Sequence, residues 1–491
     1  MTTDQTPADV ASGAPPGHPA RPRGFGVLFL VDLWERFGFY GTQAILVLFA
    51  SASVADGGLG LATPTAATLF GAYLGTTFML SLAGGWVGDR LLGTRNALLC
   101  GAVLIGAGYV GLALGGWTFV ATGLVLVSAG TALLKPNLTS LLGLLYRDDE
   151  IGREAGISLF YVGIQLSALA APLVAGLLGE VVGWSAAFSV SAAAMVLAVV
   201  TLVLGSGRLG EVGARPIRPA SPSERRAALQ LTLVVTAVVT GAVIVAVATG
   251  IASPRAAITA VGLSTLVVPM VCYLRLLRGP DLTRATRTRM RTFLWVLFGS
   301  ALFWMLIGQG GGLLNLFAAQ STLRTIGGLT VPASWLQSAT PLFILVLAPL
   351  FAARWRRYGS RFGTASKFAA GLLLAGASFL VMAVAAHLAA DGTLVSPLWL
   401  LTVYLLHACG ELIVSAVGIS AAVAVAPPSY AGQMIGVWWL FSALGVGLSS
   451  QLVNLVPVIG APSYFLALGV AVAAYGVLLL IRRRSLAASL S

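Results

Sequence analysis

Charge is what this chain has least of. Asp, Glu, Lys and Arg make up 9% of its 491 residues, whereas 58% are hydrophobic. A soluble domain carries roughly a quarter charged residues, so a water-facing globule is excluded. Lysine is scarcer still, with only Lys135 and Lys367 present. The three cysteines, Cys100, Cys272 and Cys409, all lie in apolar runs, are odd in number and have no C-x-x-C spacing. They imply neither a disulfide framework nor a metal site. There is no Walker A loop, no H-E-x-x-H and no G-x-S-x-G with triad partners, so an ATP-driven pump or a membrane hydrolase has no support and an enzyme is not expected. Residues 1–24, rich in Pro, Ala, Gly and Thr with acids near the start, lack the basic head and apolar core of a signal peptide. They read as a disordered cytoplasmic tail.

What is present is apolar sequence in bilayer-length pieces. Runs of about 20 residues fall near 25–51, 64–88, 96–114, 117–143, 155–178 and 184–205. The polar, Gly/Pro-rich stretch 206–226 then marks a linker. Two further runs follow near 227–251 and 256–277, and after the Arg-rich segment Arg278 to Arg291 six more lie near 293–318, 332–353, 366–388, 396–425, 432–456 and 462–481. The reading is an all-α membrane protein of fourteen spans arranged six, two and six. Its parts are a tail (1–24), an N-terminal six-helix bundle (25–205), linkers with two additional helices (206–291), a C-terminal six-helix bundle (292–481) and a short cytoplasmic tail (482–491). The net charge of +13 is nearly all arginine and sits in short gaps between spans. It reports topology rather than nucleic-acid binding, and it predicts an inner-membrane protein with both termini cytoplasmic. Two such halves joined by a linker suggest pseudo-symmetric bundles rocking about a midplane site.

The loop Gly85-x-x-x-Asp89-Arg90-x-x-Gly93-x-Arg95 between the second and third spans resembles the loop motif of the major facilitator superfamily. By itself it could be a turn with snorkelling arginines. The chemistry concentrates in the few ionisable groups within spans: Asp32, Glu35, Arg36, Lys135, His407 and Glu411. Asp32, Glu35 and Arg36 share one helix face. A charge in lipid costs a few kcal/mol on insertion scales, so such groups face a protein interior or a water-filled cavity. The alternatives are snorkelling to the headgroups or a packing ion pair. Lys135 needs a partner, and the first-span acids are available. An exchange of partners as a proton arrives would form a switch, and a static bridge is the other reading. Glu411 could receive an amine or a proton, or bond a helix terminus. His407 reads as a packing histidine before a relay. Tyr40, Tyr73, Tyr161 and Trp438 could line a cavity, or be core or belt.

DLWERFGFYG in the first span, GGWVGDRLLGTR after the second, LLKPNLTSLLGLLY in the fourth, AGISLFYVGIQLSALAAPLVAG in the fifth and, in the second half, HACGELIVSAVGIS and MIGVWWLFSALG together resemble the proton-dependent oligopeptide transporter family. The resemblance covers nearly the whole chain and accounts for the two extra central helices. It implies that the family's E-x-x-E-R motif falls on Asp32, Glu35 and Arg36, which with Lys135 couple transport to protons. It implies that Glu411 receives a peptide's amino terminus with Ser415 beside it, that Tyr40, Tyr73 and Trp438 line the pocket, and that Lys135 is the remaining carboxylate binder. There are departures from the pattern. Asp32 replaces Glu, Gln43 replaces the arginine that clamps a peptide's carboxylate, Gln165 and Thr340 replace asparagines, and Gly308 stands where the seventh span usually carries an acid. The expectation is a monomeric proton-coupled symporter of di- and tripeptides or peptide-like molecules, working by alternating access and needing no cofactor beyond the proton gradient. An importer or exporter of another small metabolite, or a non-transporting sensor, are the alternatives.

Overall fold

The computed structural model describes residues 22–146, 149–230, 253–279, 282–358, 362–425 and 431–490. The first bundle contains α1 (Phe25–Ser51), α2 (Thr63–Val87), α3 (Thr94–Leu114), α4 (Trp117–Leu145), α5 (Glu150–Val181) and α6 (Trp184–Leu204). After the linker comes α7 (Pro254–Leu277). The second bundle contains α8 (Arg284–Ile307), α9 (Leu313–Ser321), α10 (Ala339–Tyr358), α11 (Thr364–Leu388), α12 (Leu398–Val425), α13 (Ala431–Leu452) and α14 (Ala461–Ile481), and α15 (Arg483–Leu490) closes the chain. A two-stranded antiparallel ribbon pairs Thr325 with Thr330 and Ile326 with Leu329.

Among the described residues twelve helices are long and apolar enough to cross a bilayer. Helix α1 is not one of them despite its 27 residues, because Asp32, Glu35 and Arg36 lower its hydropathy. The span expected at 227–251 lies, from residue 231 onward, outside the described residues, as does the expected tail over 1–21. With α1 and that span the count is fourteen. The boundary expected at 292 falls inside α8, which starts at Arg284 under the Thr283 cap; its arginines carry the helix past the apolar core. The expected C-terminal tail is helical from Arg483 to Leu490.

Lipid offers helices no hydrophobic reason to associate, so close backbone approach does the work. Glycines supply it between α3 and α4. Gly101 lies against the backbone of Gly130, and Gly108 against that of Gly123. Helix α7 packs against α2 and α13 together, bridging the two bundles where they meet. Hydrogen bonds across the seam cluster at the end where α1 finishes and α2 begins. Asn315 Nδ2 donates to the Ala44 carbonyl (2.6 Å), Trp335 Nε1 to Leu173 (2.9 Å), Ser338 Oγ to Leu169 (2.9 Å) and Asn454 Nδ2 to Thr68 Oγ1 (3.3 Å). The Glu180 carboxylate accepts from Arg324 Nη1 at 3.0 Å and from the Ala333 amide at 2.8 Å.

The seventh span, expected as one run over 293–318, is discontinuous. Helix α8 stops at Ile307, Gly308–Gly312 form turns, and α9 resumes at Leu313. The sequence GQGGG explains the break, because glycine pays the largest entropy cost of any residue in a helix. Gly311 also fits closely against Gln43 and Phe70, where a Cβ would meet Phe70 at 2.6 Å and the Gln43 carbonyl at 2.9 Å.

Candidate functional site

The site begins with spacing on α1. Asp32, Glu35 and Arg36 stand three and four positions apart and are all buried, at 2%, 1% and 5% exposure. Arg36 grips Glu35 with both arms of the guanidinium, Nε to Oε2 at 2.6 Å and Nη2 to Oε1 at 2.5 Å. Its carbon lies 4.5 Å from the Phe39 ring centre and 5.8 Å from that of Tyr40. This stacking holds the guanidinium plane in place.

Helix α4 brings the fourth charge. Pro136 has no N–H to give the Ala132 carbonyl, which loosens the helix beside Lys135. Gly84 and Gly85 of α2 pack into the opening, and Asn137 Nδ2 donates to Gly84 (3.0 Å) and Leu133 (2.7 Å). Lys135 Nζ then reaches Asp32 Oδ1 at 3.3 Å and Glu35 Oε2 at 3.9 Å. The Lys135 side chain remains 27% exposed, so the network has one wet member. Two acids and two bases balance one another without a ligand.

Glu411 is placed differently. It is half-buried on α12 within electrostatic reach of Tyr40 on α1 and Tyr161 on α5, so it faces the first bundle. Among the described residues no cation and no hydrogen-bond donor pairs with it. Tyr161 and the buried Gln165 stand one helical turn apart on α5. Tyr73 is buried with its hydroxyl unpartnered, and it feels the charges of Glu35 and Arg36. Asp32, Glu35, Arg36, Lys135, Tyr40 and Tyr73 are therefore brought together on the first bundle, with Tyr161 and Gln165 on α5 of the same bundle and Glu411 on α12 facing them.

Other expected residues lie elsewhere. Gln43 is half-buried against Gly311. Thr340 and Ser415 are half-buried on α10 and α12. Trp438 is fully buried, set edge-on to Phe368 at 6.1 Å, which puts it in helix packing. Its neighbour Trp439 carries the exposed surface, stacked on Phe78 at 6.2 Å and tilted against Trp304 at 6.4 Å. Sequence reasoning missed this aromatic cluster, for which the adjacent pair in VWWLF was the available signal. His407 is buried and stacked on Phe379 at 6.2 Å, in keeping with a packing role. At Gly308 a Cβ would meet the Trp304 carbonyl at 2.8 Å and Val446 at 3.0 Å, so packing has closed over the place of a seventh-span acid.

Two six-helix bundles around an intramembrane charge network and an unpaired acid define a multi-pass transporter of the major facilitator type. The model of the POT family matches residues 95–465. The chain belongs to the POT family. A crystal structure of the peptide transporter POT in complex with sulfate superposes with a TM-score of 0.92 at 34% identity, covering 96% of each chain. A POT family transporter in complex with 5-aminolevulinic acid gives a TM-score of 0.90 at 31% identity, covering 96% of this chain and 98% of that one. A di-/tripeptide transporter of Lactococcus lactis subsp. cremoris is 30% identical over 474 residues, which is 94% of this chain and 95% of that protein.

Proposed function

We propose that this protein is a proton-coupled symporter of di- and tripeptides or peptide-like molecules, working by alternating access. The observation that carries the reading is the balanced network of Asp32, Glu35, Arg36 and Lys135 facing the unpaired Glu411. A proton reaching Asp32 removes the charge that holds Lys135, and Lys135 is left with Glu35 alone. That exchange changes how α1 and α4 are held together, which is the kind of two-state element a rocking bundle needs. Glu411 receives the cargo's amine, with Tyr40, Tyr73, Tyr161, Gln165, Thr340 and Ser415 around it. The likeness to the Lactococcus lactis di-/tripeptide transporter and membership of the family support the peptide reading.

The protein acts without cofactor or catalytic residue, as a monomer in the plasma membrane, with both termini cytoplasmic. Arginines collect in the linker and at Arg482–Arg484, which supports that orientation. A second reading, another small metabolite as cargo, is favoured by Gln43 in place of a clamping arginine. Uptake of labelled dialanine into liposomes holding the purified protein tests the proposal. Accumulation driven by an inward proton gradient is expected, and folded protein that accumulates neither dialanine nor its neutral-ended amide would remove it.

A further inference from the structure

We infer that the preferred cargo is a monocation, an amine whose far end is neutral, rather than a zwitterion with a free carboxylate. The inference rests on the transport reading above and names the class of substrate for that site. The α1–α4 network and the acid facing it hold three carboxylates, Asp32, Glu35 and Glu411, against two cations, Arg36 and Lys135. Both cations are already committed. Arg36 is bidentate on Glu35, and Lys135 lies 3.3 Å from Asp32 and 3.9 Å from Glu35. Protonation of Asp32 leaves Lys135 beside Glu35 and does not free it for the cargo.

A single ammonium at Glu411 therefore brings the cavity to neutrality. A carboxylate arriving with it finds, among the described residues of this network, no unpaired cation, and a charge taken from water without a partner is costly. Gln43, half-buried against Gly311, is neutral and supplies none. Tyr73, buried within reach of Glu35 and Arg36 with its hydroxyl unpartnered, is a neutral donor as well. Such groups suit the carbonyl of an amide.

The test compares dialanine, dialaninamide and N-acetyldialanine by calorimetric binding to the purified protein and by gradient-driven uptake into liposomes. Dialaninamide is expected to bind at least as tightly as dialanine, with N-acetyldialanine weaker by about tenfold or more, the scale of one charge-assisted bond. Gln43→Arg should move the preference toward dialanine by about tenfold. Dialanine binding tenfold tighter than dialaninamide in the unaltered protein would overturn the inference and leave the symporter standing. Equal binding of N-acetyldialanine, or no binding of any probe, would overturn it too. Tight dialaninamide binding without accumulation would keep the inference and sink the symporter.

Discussion

Lys135 is the residue on which the charge network turns, because it carries the ion pairs that tie α4 to α1 and is the network's one partly exposed member. Removing one partner of a buried pair leaves the other uncompensated at a cost of about 3–5 kcal/mol, which Asp32 escapes by taking a proton. Lys135→Ala should therefore abolish proton-driven accumulation while the protein still elutes as a single folded species on gel filtration. Near-normal accumulation in liposomes would take Lys135 out of the mechanism. Glu411 has no partner to lose, so Glu411→Gln should spare thermal stability and weaken amine binding by about 10- to 100-fold, the range of a charge-assisted contact. Calorimetry reads the second effect and a melting curve the first. Gly308 makes the opposite case. Restoring an acid there with Gly308→Glu should lower the melting temperature instead of improving coupling, because the new side chain meets the Trp304 carbonyl and Val446.

At the scale of elements, the α3–α4 pair shows how this bundle is held. A Cβ on Gly130 would stand 2.6 Å from the Gly101 carbonyl and 2.8 Å from the Ile105 amide, both backbone and unable to yield. Gly130→Val should cost about 1–3 kcal/mol, typical of overpacking, and appear as lower thermal stability in detergent. The linker offers a second element-level test. It lies along the α2–α3 loop, with the Arg218 and Ala220 amides donating to Asp89 and Arg90 carbonyls at 3.2 and 3.0 Å. Glu224 accepts from the Ser221 amide at 2.8 Å and pairs with Arg90 at 3.1 Å. The Ser221 amide first, then its hydroxyl, hold the Glu224 carboxyl below its usual pKa. A depressed acid contributes stability that is full above its unfolded value and is lost as pH falls through its folded value. Protection factors of the linker amides, corrected for the intrinsic pH dependence of exchange, should therefore fall as pH drops below about 4.5, and Glu224→Gln should remove that fall.

For the whole molecule, the seam around Glu180 and Arg324 ties the two bundles together at the end where α1 finishes. The Glu180 carboxylate holds both Arg324 and the amide that starts the turn before α10, so one acid on α5 fastens two pieces of the second bundle. A partly exposed pair is worth about 0.2–1 kcal/mol, enough to shift a two-state population several-fold at most. Arg324→Ala should increase the population with this end open. Spin labels at Ser53 and Leu329 in a cysteine-free background would report it as a longer distance component, and an unchanged distribution would show that the remaining seam bonds suffice.

The chain by itself determined the spans and the charged face of α1, because both depend on local quantities. Hydropathy over about 20 residues finds a bilayer crossing, and three- and four-residue spacing puts Asp32, Glu35 and Arg36 on one side. Expected and observed helix limits agree within a few residues along most of the chain. The break at Gly308–Gly312 was spelled in glycines, yet an apolar run read through it, since hydropathy does not register backbone entropy. Only the tertiary structure decided that Lys135 meets Asp32, 103 positions earlier. It also decided that Trp438 is packed while Trp439 is exposed, and that Glu411 has no counterion among the described residues. These are pairings between distant helices, set by which backbones can approach closely enough to lock, and no local pattern encodes them.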